Sequence, residues 1–144
     1  YYEFEPVKKL MMDKSWLPEA EGKVVKIIAQ LLPFLPSNYD YKIIFMRRDM
    51  NEVLKSQQIM LGKEKDVKSK VFPMGLNDAF QKQLIKVENW IDSQPNVEML
   101  SVDYSNVIDN AEDEIDNVIS FLSSPGDRDK MIKVVDKKLY RNKS

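Results

Sequence analysis

Short apolar, β-branched runs that alternate with amphipathic stretches constrain the fold of this chain most strongly. The three runs read KVVKII (23–28), YKIIFM (41–46) and VEMLSV (97–102). Each suits a strand that is buried on both faces. Amphipathic helical stretches lie between the second and third runs and after the third. Strands that alternate with helices in this way predict an α/β fold, with a parallel sheet and flanking helices.

Three apolar stripes at helical spacing support this fold class. In chain order, they are formed by Met50, Val53, Leu54, Met60 and Leu61, then by Leu76, Phe80, Leu84, Val87 and Ile91, and finally by Val107, Ile108, Ile115, Val118, Ile119 and Leu122. Asn110 is predicted to N-cap the longer half of the third helix, and the SSPGD stretch at 123–127 is predicted to stop it. The polar, lysine-rich segment at 62–75 predicts a long loop.

Length and charge set the scale of the protein. A chain of 144 residues with 43% apolar side chains predicts one α/β domain over 1–144. The 22 basic and 23 acidic residues leave a net charge of -1, so no global field attracts nucleic acid or an anionic membrane. Any anion site must therefore be local.

The absence of cysteine and histidine excludes several kinds of chemistry. Disulfides, thiolate metal sites, catalytic triads with histidine and ordinary zinc sites all need one of these residues, so we predict no metal site. No apolar stretch is long enough to span a bilayer, and the first residues lack the pattern of a signal peptide. The sequence therefore predicts a cytoplasmic protein.

The stretch FMRRDMNEVLKSQ (45–57) joins a strand end, two arginines and a hydroxyl. Ligands of open parallel sheets bind beyond the carboxyl ends of the strands, where Arg47 and Arg48 are predicted to lie. The start of the next helix favours an anion, and Ser56 could add a hydroxyl. The stretch thus predicts a phosphate site. The alternative is a solvated helix start, in which Arg48 pairs with an acidic neighbour and Ser56 faces water.

The same stretch resembles the 3'-phosphate motif of the sulfotransferase family. Arg48, Glu52 and Ser56 follow the family's spacing, while Asp49 and Met50 replace its usual Asn-Pro. Other stretches are similar to bacterial sulfotransferase-like proteins in order and spacing, so that the resemblance covers nearly the whole chain. They are GKVVKIIAQLLPFLP (22–36), LSVDYSNVIDNAEDEIDNVISFL (100–122) and DKKLYRN (136–142).

This resemblance implies a P-loop-type sulfotransferase fold and 3'-phosphoadenosine 5'-phosphosulfate as the sulfuryl donor. The acceptor would be a hydroxyl or amine of a small molecule or carbohydrate. Arg48 and Ser56 align with residues that bind the donor's 3'-phosphate, and Lys26 aligns with the lysine that stabilises the transferring sulfuryl group. Ile28 stands where many members have a histidine base, so Glu3 is the candidate base, since other members use a glutamate.

The glycine-rich phosphate loop of this family has no counterpart in the chain, whose four glycines belong to no such motif. We therefore expect this chain to be the C-terminal part of a sulfotransferase-like domain that lacks its first strand and phosphate loop. In this interpretation, YYEFE (1–5) is the segment that follows the missing strand. The 144 residues alone are expected to transfer no sulfate. The alternative is a non-catalytic nucleotide-binding or protein-interaction module of the same fold. A nucleotide kinase is disfavoured because it also needs the loop.

Overall fold

The chain forms two compact units, each built from two segments. The computed structural model describes residues 4–49, 76–123 and 126–135. The first unit comprises Tyr1–Tyr41 and Gly75–Val97, and the second comprises Lys42–Met74 and Glu98–Ser144.

The part of the first unit that the structure describes has short helical elements and one long helix. In chain order, they are a 3-10 helix (Glu5–Lys9), helix α1 (Leu17–Ala20), a second 3-10 helix (Ala29–Phe34) and helix α2 (Leu76–Ser93). A proline stands in the first turn of both the first 3-10 helix and α1, where its missing N–H leaves no hydrogen bond unmade.

Helix α2 packs against the second 3-10 helix. Val87 and Ile91 are 2% and 3% exposed, and their spacing of four residues places them on one face of α2. Leu32 of the second 3-10 helix is also buried. The predicted helix at this position is therefore confirmed, and Val87 and Ile91 of its apolar stripe are buried as expected.

The predicted strand at 23–28 is wrong. The structure has irregular backbone over these residues, between a turn at Gly22 and the second 3-10 helix. Val24 is 88% exposed and Ile28 is 51% exposed, so the apolar run is not buried on both faces. A strand needs a hydrogen-bonded neighbour, and a β-branched run specifies the extended backbone without specifying that partner.

Two parallel strands form the described sheet. Strand β1 (Tyr41–Arg47) lies beside strand β2 (Val97–Asp103). Phe45 and Val102 are the buried residues of the two strands, at 8% and 2% exposure. The predicted strands at 41–46 and 97–102 and the α/β class are thus confirmed. The specific P-loop sulfotransferase fold stays a prediction.

Among the described residues after β2, the second unit has three helices: α3 (Tyr104–Asp109), α4 (Ala111–Leu122) and α5 (Arg128–Lys133). The predicted helix is therefore divided at Asn110, which takes the N-cap position of α4 but makes no side-chain capping hydrogen bond. Its φ of -132° and ψ of 53° serve the turn between the two helices. Helix α4 ends at Leu122, followed by Ser123 in the left-handed conformation, as the predicted stop requires.

Polar contacts hold the ends of these helices. Lys42 Nζ donates to the Phe121 carbonyl at 2.7 Å, which ties β1 to the last turn of α4. Arg128 at the start of α5 pairs with Asp116 of α4 at 2.6 Å, and Asp127 N-caps α5 by accepting from the Lys130 N–H. Within the described ranges, no helix is both long and apolar enough to cross a membrane. The predicted helix over 50–61 and loop over 62–75 lie outside the described residues.

Candidate functional site

The carboxyl ends of β1 and β2 bring together two arginines, a serine and a tyrosine. Arg47 is the last residue of β1, and Arg48 follows it. Ser101 lies near the end of β2, and Tyr104 opens α3 directly after β2. Because adjacent parallel strands end at the same edge of a sheet, their terminal side chains can meet there. Sequence reasoning had placed the two arginines at this edge.

The Arg48 guanidinium lies over the ring of Tyr104. The central carbon of its guanidinium lies 4.8 Å from the centroid of the Tyr104 ring, within the range of a cation–π contact. The Arg48 side chain is half-buried, and its Nε is inaccessible to solvent. A cation–π contact does not supply the oxygen acceptors that the guanidinium N–H groups take from carboxylates and phosphates. The contact is therefore compatible with anion binding by the same side chain.

Arg47 takes a different direction. Its Nε donates to Ser101 Oγ at 2.7 Å, which joins the two strands, and its side chain is exposed. Successive residues of an extended chain point to opposite faces, and the two arginines accordingly contact different residues. The pair thus supplies one half-buried guanidinium on an aromatic ring and one exposed guanidinium hydrogen-bonded to a hydroxyl.

Lys26 lies in the first unit, on the irregular segment before the second 3-10 helix. It borders a cavity of about 300 Å³ whose walls are mostly apolar. The lining side chains are those of Phe4, Val7, Lys8, Lys26, Ile28 and Leu31. Ile28, at the position where the resemblance to sulfotransferases would place a histidine base, also lines the cavity that Lys26 borders.

The remaining predicted site residues, Ser56 and Glu3, lie outside the described residues. Their assignment to the 3'-phosphate and to the base stays a prediction. The structure adds Tyr104 and Ser101, which sequence reasoning did not select. A usable signal was present, because both residues lie at the carboxyl end of the third predicted strand, the edge at which the arginines were expected.

Comparison of the chain with models of known protein families, with curated proteins and with solved structures gives no match. The geometry of the described residues and the motifs of the sequence are therefore the basis for any function.

Proposed function

We propose that this chain is part of a cytoplasmic sulfotransferase that uses 3'-phosphoadenosine 5'-phosphosulfate and transfers its sulfuryl group to a hydroxyl or amine. The observation that carries the proposal is the cation–π contact of Arg48 with Tyr104 at the carboxyl ends of two parallel strands. This edge is where open parallel sheets bind their ligands. A phosphate is a group that a guanidinium binds strongly, since two parallel N–H groups can meet two of its oxygens.

The 3'-phosphate of the donor suits Arg48 for two further reasons. The contact with the aromatic ring restricts the Arg48 side chain, so that less rotamer freedom is lost when an anion binds. Partial burial of Arg48 also lowers the local dielectric constant and strengthens its attraction for an anion. Ser56 would add a hydroxyl to the same phosphate, as the spacing of the motif suggests.

In the proposed reaction, the acceptor oxygen or nitrogen forms a bond to sulfur while the bond from sulfur to the donor's bridging oxygen breaks. That oxygen keeps the electron pair, so adenosine 3',5'-bisphosphate is the leaving group. The acceptor proton passes to a base, for which Glu3 is the candidate. The Lys26 ammonium would stabilise the negative charge that develops on the transferring group.

The experiment that tests this proposal uses the full-length product of the gene that contains this chain. The protein is incubated with sulfur-labelled donor and with acceptors that carry hydroxyl or amine groups. We expect label in an acceptor and one equivalent of adenosine 3',5'-bisphosphate for each sulfuryl group transferred. A protein that neither binds this bisphosphate nor transfers label would overturn the proposal. Binding without transfer would favour the non-catalytic nucleotide-binding module.

A further inference from the structure

We infer that Met12, with Lys9 beside it, is a site of reversible oxidation by hydroperoxides, with methionine sulfoxide as the product. The chain has eight methionines and no cysteine, so its thioethers are the sulfur groups that an oxidant meets. A thioether that is open to solvent is a common target of oxidants. The inference concerns a surface of the first unit and does not rest on the proposed function.

The segment that carries Met12 has one buried side and two exposed sides. The N–H of Leu10 donates to the Val7 carbonyl at 3.1 Å, three residues back. The N–H of Met12 donates to the Lys9 carbonyl at 2.8 Å, so the 3-10 pattern continues past the end of the first 3-10 helix at Lys9. Residues three apart lie on one side of such a helix. Val7 and Leu10, at 6% and 0% exposure, accordingly form the buried side.

Each exposed side carries a lysine followed by a methionine. Met12 lies on the side of Lys9, and Met11 lies on the side of Lys8. Of the methionines that the structure describes, Met12 is the most exposed at 93%, whereas Met11 is 58% exposed. The Lys8 ammonium also pairs with Glu5 at 2.8 Å. We therefore expect Met12 to react before Met11.

In the proposed oxidation, the Met12 sulfur uses an electron pair to form a bond to the outer oxygen of the hydroperoxide while the O–O bond breaks. The departing oxygen keeps the electrons of that bond and takes up a proton, so the peroxide is reduced to water or an alcohol. The Lys9 ammonium, one turn earlier, can donate a hydrogen bond to this oxygen and stabilise its developing charge. A reductase reverses the change with two thiols, which become a disulfide while the sulfoxide oxygen leaves as water.

Oxidation of Met12 should leave the fold intact. A sulfoxide disrupts a core because it turns an apolar side chain into a polar one. Met12 is almost fully exposed, so its new oxygen would form in water, and the buried side of the segment contains no sulfur. Met12 can therefore consume an oxidant without a loss of stability.

The test treats the full-length protein with hydrogen peroxide and follows each methionine by peptide mass spectrometry. We expect Met12 to be oxidised at least about fivefold faster than Met99 and Met131, which are half-buried. Lys9→Ala should slow the oxidation of Met12 at least about twofold. Lys23→Ala is the control, since Lys23 is an exposed lysine outside the segment, and it should leave the rate unchanged. A methionine sulfoxide reductase with dithiothreitol should restore the thioether.

Thermal unfolding measures the effect on the fold. The midpoint of the oxidised protein should shift by less than about 2 °C, as for a change at an exposed position. A larger fall that Met12→Leu prevents would overturn the inference, because it would show that the Met12 side chain supports the fold. A Met12 rate no higher than those of Met99 and Met131 would also overturn it, as would an undiminished Met12 rate in Lys9→Ala.

Discussion

The guanidinium of Arg48 lies 4.8 Å from the centre of the Tyr104 ring, and this contact joins the end of β1 to the start of α3. Arg48 follows the last residue of its strand and Tyr104 opens the helix after the neighbouring strand. An arginine restricted in this way loses less rotamer freedom when it binds an anion.

We predict that Tyr104→Leu weakens the binding of adenosine 3',5'-bisphosphate by about 0.5 to 2 kcal/mol, because it removes the ring that orients Arg48. Tyr104→Phe keeps the ring and should retain nearly all of the affinity. Calorimetry with the two variants measures the difference. An effect of the same size on 5'-AMP, which has no 3'-phosphate, would contradict a role through Arg48, as would a loss of affinity in the Phe variant.

Lys26→Ala in the full-length protein should raise the activation free energy of sulfuryl transfer by roughly 2 to 4 kcal/mol, and so slow the reaction, if the ammonium stabilises the transition state as an oxyanion donor does. Lys23→Ala is the matched control, since Lys23 is an exposed lysine three positions earlier that does not line the cavity. Steady-state kinetics should show the loss in kcat for Lys26→Ala alone. Equal kcat values for the two variants would show that Lys26 has no role in sulfuryl transfer.

We expect the ion pair between Arg128 and Asp116 to shift the titration of the Asp116 carboxyl to lower pH. The hydrogen bond from Arg128 holds the pKa of the Asp116 carboxyl below its usual value of 3.8. A carboxylate with a lowered pKa stabilises the folded state above the pKa of the unfolded chain, and this contribution disappears as pH falls through the lower folded-state pKa. We therefore expect the α4–α5 contact to weaken below about pH 4.

Carbon-13 NMR of the labelled carboxyl measures this directly. Arg128→Ala should raise the pKa of Asp116 to the ordinary range, because it removes the group that donates to the carboxylate. Lys130→Ala is the control, since Lys130 pairs with Asp127 instead. An unchanged pKa of Asp116 in the Arg128 variant would show that the contact is absent in solution.

We expect the Tyr41 hydroxyl to titrate at higher pH than an ordinary tyrosine. Burial raises the pKa of Tyr41 from 10.0 to about 12, and the neighbouring Tyr39 acts in the same direction. Its hydroxyl donates to the Pro36 carbonyl at 2.8 Å. A raised pKa stabilises the folded state below pH 10, and this contribution is lost as pH rises from 10 to about 12.

NMR of tyrosine labelled at the ring carbon that bears the hydroxyl should find Tyr41 titrating later than an exposed tyrosine. Tyr39→Phe removes only the smaller of the two causes, so the pKa of Tyr41 should fall slightly and stay above 10. Titration of Tyr41 near pH 10 in the folded wild-type protein would mean that its hydroxyl is not buried as described.

The elements with a strong internal pattern were predictable from the sequence. Strands β1 and β2 are β-branched apolar runs, and α2 repeats apolar residues about every four positions, so local periodicity identifies all three. The run at 23–28 has the composition of a strand but pairs with no neighbouring strand among the described residues. Strand pairing depends on residues that are distant in the chain. Composition therefore predicted a strand where the structure has irregular backbone.

The candidate site was predictable in its charge and not in its contacts. The position of Arg47 and Arg48 at a strand end follows from the apolar run that precedes them. Their partners do not, because Ser101 lies 54 positions after Arg47 and the contact requires β1 and β2 to be neighbours. Strand order is a property of the assembled sheet, and local spacing carries little information about it.

The most direct test of the account is the calorimetric binding of adenosine 3',5'-bisphosphate to the full-length protein and three variants. Arg48→Ala should weaken binding by roughly 1.5 to 3 kcal/mol and Ser56→Ala by about 0.5 to 1.5 kcal/mol, because a charge-assisted pair is lost in the first case and a neutral donor in the second. Arg47→Ala should weaken it less than Arg48→Ala, since Arg47 donates to Ser101. Equal losses at the two arginines would indicate a diffuse basic patch, and an unchanged affinity in Arg48→Ala would contradict the phosphate site.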